Sequence, residues 1–210
     1  MDTVTDLKNM MGKKWPGAVF RNGNGSVFST DIEPIDALLP HRGIPFGQMI
    51  ELTGPPSSGK TSLLYKMLAK ITGQGSAVYF DLSNSFFPSA ATYYGVDINH
   101  LAVVKTGEVL TGMRAAEILL EHKKTACVVI DLADQKKILP MTLLHRLRMQ
   151  TTRSKGLTIF LTENNSHIIP SSIVSLRLSI NRLSRRQVEI EITKSRISKE
   201  GLKTRVMLYD

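Results

Sequence analysis

The feature that most constrains this chain is the stretch GPPSSGKTS, which runs from Gly54 to Ser62. It contains the spacing G-x-x-x-x-G-K-[ST], in which successive backbone N–H groups turn inward around a phosphate and glycines avoid crowding that path. Lys60 is then expected to reach the β- and γ-phosphates of a nucleotide, and the Thr61 hydroxyl to bind Mg²⁺. The predicted phosphate-binding loop comprises Gly54, Pro55, Pro56, Ser57, Ser58, Gly59, Lys60, Thr61 and Ser62. The plain alternative is an ordinary turn before a core helix.

The residues on either side of the stretch favour the phosphate-binding interpretation. Residues 48–53 resemble a short strand, and the apolar residues after the loop recur at helical spacing as far as Gly73. Strand, loop and helix therefore come in the order that places the positive end of a helix dipole against the phosphates.

Strand-like and helical patterns alternate along the rest of the chain. The strand-like runs are 49–52, 77–82, 101–104, 127–132, 157–161, 176–180, 188–193 and 205–208, and the helical patterns lie at about 60–72, 88–94, 108–122 and 139–153. This alternation, with nearly continuous apolar runs, predicts an α/β fold with a largely parallel central sheet flanked by helices. The last three strand runs have no helix between them, so we expect antiparallel strands at the C-terminal edge of the sheet.

The chain length suits one complete core. With 210 residues it is too short for two large domains. We divide it into an N-terminal appendage, residues 1–30, with a short polar helix and turns, and a nucleotide-binding core, residues 31–210. The lone cysteine, Cys127, lies in an apolar run and is expected to be a buried thiol without a disulfide.

Charge and hydropathy point to a polyanionic partner and away from membranes. Lys and Arg number 27 against 18 Asp and Glu, which gives a formal net charge of +9. Such an excess favours nucleic acid as a partner, although a generally basic surface remains an open alternative. The first residues lack a secretory signal, and no run reaches membrane-spanning length, so we expect a cytoplasmic protein without membrane contact.

A carboxylate follows the apolar strand residues Val128, Val129 and Ile130. This residue, Asp131, is expected at the edge of the sheet that carries the phosphate loop. There it could hold Mg²⁺ through water, together with Thr61. A turn or capping role is the alternative.

Several of these segments resemble the RecA family of recombinase ATPases. The resemblance covers roughly residues 30–210 and lies in IPFGQMIE leading into GPPSSGKTS, in YFD at 79–81, YGVDI at 94–98, CVVID at 127–131 and LTIFLTE at 157–163. It implies a RecA-like P-loop core that binds ATP with Mg²⁺.

The departures from the family pattern concern catalysis and the nucleotide base. The resemblance implies a catalytic Glu at position 83, where this chain has Ser83, a poor base. The family's γ-phosphate-sensing Gln corresponds to Glu163, and its base-stacking aromatic residue to Ala90. Phe87 could supply a stacking face instead, but we expect it to be buried. Asp81 and Glu163 are the remaining candidates for a catalytic base.

The resemblance also bears on DNA and on assembly. Lys194 and Arg196 match two basic residues that reach the neighbouring subunit's nucleotide, and an exposed basic strand is the alternative. The intervals that match the family's DNA-binding loops are short here, and we expect no C-terminal domain of the family's kind, so strand exchange in a long filament is not expected. Family members pair through an N-terminal helix and strand, which implies self-association or docking onto a RecA-like partner through residues 1–30 and the Lys194 edge.

Basic residues concentrate in the last third of the chain. The candidate DNA-contacting residues are Arg146, Arg153, Asn164, His167, Arg185 and Arg186. Aromatic residues are missing from 161–208, so phosphate contacts to single-stranded or duplex DNA should dominate and weaken steeply with salt. Solvated helix faces and turns are the alternative.

Together, these losses resemble those of the ImuA proteins, short RecA-like accessory proteins of specialised polymerases in DNA-damage tolerance. The segment IDALLP at 35–40 adds to this likeness. The resemblance implies an adaptor for DNA, a recombinase or a polymerase complex, in the SOS response and translesion synthesis. Our first hypothesis is a nucleotide-gated adaptor with weak or absent hydrolysis. An active DNA-dependent ATPase with a substituted base and a structural module with a vestigial loop remain open.

Overall fold

The computed structural model describes residues 27–121, 125–135, 138–163 and 168–209. The strands are β1 (Val27–Phe28), β2 (Ile44–Pro45), β3 (Met49–Thr53), β4 (Ala77–Asp81), β5 (Leu101–Lys105), β6 (Cys127–Asp131), β7 (Leu157–Thr162), β8 (Leu176–Arg182), β9 (Gln187–Ser195) and β10 (Lys203–Met207). The helices are α1 (Glu33–Asp36), α2 (Lys60–Gln74), α3 (Pro88–Tyr93), α4 (Val109–Glu121) and α5 (Met141–Ser154). Short 3₁₀ turns lie at Pro40–Arg42 and Ile98–His100.

Eight of the strands form one sheet in the order β10-β9-β8-β3-β7-β6-β4-β5. The pairings from β8 through β3, β7, β6 and β4 to β5 are all parallel, whereas β8–β9 and β9–β10 are antiparallel. The predicted fold class, a largely parallel sheet with antiparallel strands at the C-terminal edge, is confirmed. Because β3 lies in the middle of the sheet, the loop that follows it is flanked by the ends of β7 and β8.

Helices cover the sheet on both faces, as the apolar strand patterns predict. On one face, Leu64 and Leu68 of α2 are fully buried and belong to the same core cluster as Ile50 and Leu52 of β3. Side chains alternate between the faces of a strand, so Met49 joins the opposite cluster. That second cluster joins α4 and α5 to this face of the sheet, and includes Leu119, Leu120, Leu144, Leu147, Val128, Ile130 and Phe160.

The N-terminal end of the described chain packs onto the core. β1 pairs with β2 in a separate two-stranded sheet, and Phe28 is buried in the cluster that contains β3. Residues 27–30 thus lie against the core, on the appendage side of the proposed boundary. Residues 1–26 lie outside the described residues, so the division at residue 30 stays a prediction.

The lone cysteine lies in the middle of the core. Cys127 is fully buried in β6, and burial raises the pKa of its thiol. The prediction of a buried thiol is confirmed.

Candidate phosphate-binding site

The stretch from Gly54 to Gly59 connects β3 to α2 and has the backbone of a phosphate loop. Ser57 and Gly59 have φ values of 61° and 94°. A Cβ atom on Gly54 would lie 2.4 Å from the Ile180 carbonyl oxygen, and one on Gly59 would lie 2.7 Å from Leu208 Cδ1. Glycine is therefore required at Gly54 by the close approach of backbone, and at Gly59 by the left-handed φ.

Lys60 is the first residue of α2 and is only 7% exposed. Its Nζ donates to the carbonyl oxygens of Gly54 and Pro55, at 3.1 and 3.3 Å, so the ammonium group lies folded over the loop. Burial lowers the pKa of Lys60, and the negative charges of Glu163 and, more weakly, Asp131 oppose this shift. A buried cation beside a glycine cradle fits a phosphate group.

Asp131 ends β6 at the edge of the sheet where β3 gives way to the loop, as the sequence predicts. Its Oδ2 accepts hydrogen bonds from the Tyr79 hydroxyl (2.8 Å) and from Ser85 Oγ (2.6 Å), and its Oδ1 accepts one from the Ala133 backbone N–H (3.1 Å). Asp131 is 1% exposed. These donors fix the carboxylate, and any Mg²⁺ contact through water must use its remaining acceptor capacity.

The residues that follow β4 are held by a local hydrogen-bond network. Asp81 Oδ1 and Oδ2 accept the backbone N–H groups of Ser85 and Phe86, at 2.8 and 3.3 Å, so Asp81 caps this loop. Ser83 Oγ donates to Ser85 Oγ at 2.9 Å. The position that the family resemblance assigns to a catalytic Glu is thus joined through two hydroxyl groups to Asp131.

A cavity of about 390 Å³ opens beside the start of α2. It is lined by Thr61, Ser62, Tyr65, Ser85, Phe87, Ser89, Ala90, Tyr93, Tyr94 and Tyr209. Ala90, which the resemblance aligns with the family's base-stacking residue, lines this cavity. Phe87 is 62% exposed, so the expectation that it is buried is wrong. Phe87 precedes Pro88, the first residue of α3, and its side chain is part of the cavity lining.

Tyr94 and Tyr209 are site residues that the sequence did not reveal. Their ring centroids are 5.9 Å apart, and both side chains line the cavity. Burial raises the pKa of Tyr94 to about 12. The neighbouring hydroxyl groups of Tyr94 and Ser62, and more weakly the Arg182 cation, lower the pKa of Tyr209. The aromatic surface is assembled from α3 and the chain beyond β10, which only the fold brings together.

Thr61 and Asp131 are the metal ligands that the sequence predicts. Among the described residues, no group of three or more His, Cys, Asp or Glu could hold a metal ion. A magnesium ion at a phosphate loop takes most of its ligands from phosphate oxygens and water. A hydroxyl group and one carboxylate, as at Thr61 and Asp131, are a ligand set compatible with such an ion, and their metal role stays a prediction.

Lys194 and Arg196, the predicted contacts to a neighbouring nucleotide, lie at the end of β9. Lys194 Nζ forms an ion pair with Glu200 Oε1 at 3.0 Å. The Arg196 guanidinium donates to the carbonyl oxygen of Ser172. Both side chains therefore have partners within the same chain. A contact to a neighbouring subunit would have to displace these partners.

The candidate DNA-contacting residues fall into separate groups. Arg146 Nε donates to Glu117 Oε1 at 2.8 Å and so links α5 to α4. Arg153 is exposed near the end of α5, and Arg185 and Arg186 are exposed in the turn between β8 and β9. Two of the candidates, Asn164 and His167, lie outside the described residues.

The described helices are too short or too polar to cross a membrane. On this fold and this loop geometry, the molecule is an α/β protein of the P-loop class. Within that class the chain belongs to the RecA family, because the RecA N-terminal domain family model matches residues 8–140, more than half of the chain.

Comparison with individual proteins agrees with this assignment. The chain is 33% identical to Protein RecA of Chlorobium limicola over 135 residues, which cover 61% of this chain and 38% of that protein. It is 32% identical to Protein RecA of Staphylococcus aureus over 137 residues, 62% of this chain and 39% of the relative. The match thus spans about two fifths of these relatives' length. The crystal structure of the RadB recombinase superposes with a TM-score of 0.68 at 16% identity, covering 84% of this chain and 94% of the other, and shows the shared fold.

Proposed function

We propose that this protein binds Mg²⁺ and ATP at the phosphate loop and uses the bound nucleotide as a switch. The observation that carries the proposal is the buried Lys60 ammonium, folded over a loop in which Gly54 leaves no room for a Cβ atom and Gly59 has a left-handed φ. Backbone N–H groups of the loop would hold the phosphates, and Lys60 would exchange its carbonyl partners for phosphate oxygens. Bound Mg²⁺ would neutralise phosphate charge, with Thr61 as its direct ligand and Asp131 acting through water.

The nucleotide base is proposed to bind in the cavity beside α2. This cavity adjoins Thr61 and Ser62 and is walled by the aromatic rings of Tyr94 and Tyr209. Ring faces of this kind stack on any base, so adenine selectivity would need polar contacts as well. The exposed Phe87 offers a further face on the same wall.

The surroundings of the phosphate loop favour weak or absent hydrolysis. Ser83 replaces the carboxylate that the family pattern implies, and a serine hydroxyl is a poor base near neutral pH. Asp81 uses both of its oxygens to accept backbone N–H groups. The negative charge of Glu163 raises the pKa of Lys60, and we propose that this carboxylate balances the ammonium group rather than activating a water.

We further propose an accessory role in DNA repair or damage tolerance, in which the nucleotide-bound form binds DNA or a repair partner. Family membership and the formal net charge of +9 support this role. The partner would be a RecA-like recombinase, a specialised polymerase complex or a second copy of this chain. Contacts through residues 1–30 and the Lys194 edge belong to this proposal.

Thermal unfolding with and without Mg²⁺ and ATP tests the switch. A ligand that binds only the folded state stabilises it by about 2.7 kcal/mol at a hundredfold excess over Kd. We expect the melting temperature of the wild type, but not of Lys60→Ala, to rise with Mg²⁺ and ATP together. Lys70→Ala is the matched control, because Lys70 lies on the same helix and forms an exposed ion pair with Asp31. An unchanged wild-type melting temperature at millimolar ATP would favour a vestigial loop.

A second candidate function, an active DNA-dependent ATPase, rests on one specific observation. Ser83 Oγ donates to Ser85 Oγ, which donates to Asp131 Oδ2, so a water bound at Ser83 has a hydroxyl chain to a carboxylate. If this chain acts as the base, Ser85→Ala should abolish phosphate release while nucleotide binding persists. Phosphate release that is absent from the wild type, with or without single-stranded DNA, would exclude this candidate.

A further inference from the structure

Arg182 joins the phosphate loop to a basic turn on the surface. It ends β8, which runs parallel to β3 with Thr53 opposite Ser179, so Arg182 lies just past the point where β3 leaves the sheet. Its Nε donates to the carbonyl oxygen of Ser57 at 2.6 Å. The guanidinium therefore holds the loop at the Ser57 carbonyl group.

The second arm of the same guanidinium holds the turn between β8 and β9. Arg182 Nη1 donates to the carbonyl oxygen of Arg185 at 2.9 Å. A guanidinium is planar and rigid, so the two hydrogen bonds fix the turn relative to the loop. A lysine has one flexible ammonium group and cannot span both carbonyl groups in this geometry.

The residue that Arg182 braces is conformationally strained. Ser57 has a φ of 61°, in the left-handed region that residues other than glycine enter at a cost. Within the loop, the Ser58 backbone N–H donates to the Pro55 carbonyl oxygen at 3.1 Å. The peptide that carries the Ser57 carbonyl would move whenever the loop adjusts to a phosphate, and Arg182 would move with it.

The turn displays positive charge on its outer side. The Arg185 and Arg186 side chains are exposed, and within the described residues neither guanidinium has a hydrogen-bond or ion-pair partner. A hydrogen bond from the chain beyond β10 holds the backbone of the turn, since the Leu208 N–H donates to the Arg186 carbonyl oxygen at 2.8 Å. Two exposed guanidinium groups on an anchored turn suit successive phosphates of a nucleic acid strand.

We propose that Arg182 is the positioning residue that couples nucleotide binding at the phosphate loop to nucleic acid binding at the turn 183–186. A phosphate in the loop shifts the Ser57 carbonyl group, and the Arg182 guanidinium moves with it. The exposed side chains of Arg185 and Arg186 then change their position. The inference rests on the proposed nucleotide binding and specifies how that binding is transmitted. Thermodynamic linkage requires the effect to be reciprocal, so a nucleic acid strand changes ATP affinity by the same factor.

The experiment measures this coupling factor in the full chain. A fluorescent single-stranded oligothymidine is titrated with and without Mg²⁺ and ATP, and ATP is titrated with and without the oligonucleotide, at one fixed salt concentration. The variants are Arg182→Lys, Arg182→Ala and the control Arg205→Lys, an exposed position on β10. Melting temperatures without ligand establish that each variant is folded.

We expect a wild-type coupling factor of at least about fivefold, equal in both directions, which Arg205→Lys retains. Arg182→Lys should bind ATP within about tenfold of the wild type, the equivalent of one charged hydrogen bond, while its coupling factor falls to about one. If Arg182 only stabilised the loop, Arg182→Lys would change ATP affinity and leave the coupling factor unchanged.

Three results would contradict these proposals in distinguishable ways. Undiminished coupling in Arg182→Lys overturns the inference alone and leaves the proposed function standing. Complete loss of ATP binding in a folded Arg182→Lys also overturns it, because Arg182 would then only shape the loop. No ATP binding by the wild type contradicts the proposed function itself.

Discussion

Two glycines at opposite ends of α2 meet different surroundings. Gly59 has a φ of 94°, and a Cβ there would lie 2.7 Å from Leu208 Cδ1 and 2.9 Å from Val188 Cγ1. Gly73 lies inside the helix, and a methyl group added there would have no neighbouring atom within 4 Å among the described residues. Identical substitutions should therefore have opposite effects on stability.

We expect Gly59→Ala to lower the free energy of unfolding by about 1–3 kcal/mol, through its strained backbone and the displaced side chains. Gly73→Ala should raise it by up to about 1 kcal/mol, since alanine is the better helix former. Chemical denaturation of both variants and the wild type measures the two changes in the free energy of unfolding. Equal effects of the two substitutions would mean that the loop relaxes freely around Gly59.

Lys60 should make stability depend on pH in a defined direction. Burial lowers its pKa in the folded protein below the ordinary value of 10.5, so between the two values the unfolded chain binds more protons. Stability then rises with pH through this window, as the folded protein is relieved of a buried charge. Below the lowered pKa the charged lysine is destabilising.

Replacement of this lysine isolates the effect. We expect Lys60→Met without ligand to be more stable than the wild type at neutral pH, with the difference shrinking as pH rises towards 10.5. Denaturation curves of both proteins across this range measure it. A Lys60→Met variant that is less stable at neutral pH would show that the bonds to the Gly54 and Pro55 carbonyls outweigh burial.

At the scale of elements, a buried ion pair links three neighbouring strands. Glu51 of β3 is 1% exposed and accepts hydrogen bonds from Thr162 of β7 and from Arg177 Nε of β8, each at 2.6 Å. Arg177 Nη2 also donates to the Ile169 carbonyl oxygen at 2.9 Å. The pair therefore holds the chain after β7 against the strand that leads into the phosphate loop.

Breaking this pair should be costly, because it leaves a buried charge without compensation. We expect Arg177→Met to lower the free energy of unfolding by about 3 kcal/mol, the low end for buried pairs since Arg177 is partly exposed. The double variant Glu51→Leu with Arg177→Met should recover part of that loss. Chemical denaturation of the single and double variants measures both free energies of unfolding. A double variant that is less stable than Arg177→Met would show that the hydrogen bonds of Glu51 matter more than its charge.

Two arginines of α5 should differ in how much they contribute to stability. Arg146 pairs with Glu117, whose side chain is 9% exposed, whereas Arg153 is exposed near the helix end. We expect Arg146→Ala to cost about 1–3 kcal/mol of stability and Arg153→Ala less than about 0.5 kcal/mol. Thermal unfolding of the two variants provides the comparison, and equal costs would show that the pair with Glu117 is not stabilising.

The elements themselves were largely predictable from sequence, because each depends on local periodicity. The predicted helix at 60–72 and the strand at 157–161 correspond to α2 and β7 within two residues. The phosphate loop was predictable for the same reason, since its residues are contiguous. Tyr209 and Arg182 were not, because β8 brings Arg182 to the site and the chain beyond β10 brings Tyr209, and no local pattern marks such distant contacts.

At the scale of the whole molecule, the described residues form a RecA-type core whose phosphate loop lies in the centre of the sheet edge. The loop is flanked on one side by Asp131 and its hydroxyl network, and on the other by Arg182 and the basic turn. This placement would let one bound nucleotide contact the residues proposed for metal binding and for nucleic acid binding together. The division between residues 1–30 and 31–210 remains a prediction.

The most direct measurement is titration of a fluorescent ATP analogue into the wild type, Lys60→Ala and Lys70→Ala, with and without Mg²⁺, followed by phosphate release in the same samples. We expect saturable, Mg²⁺-dependent binding to the wild type and Lys70→Ala, loss of binding in Lys60→Ala, and little phosphate release. Equal binding by the wild type and Lys60→Ala, or no binding by either, would contradict the proposed nucleotide switch.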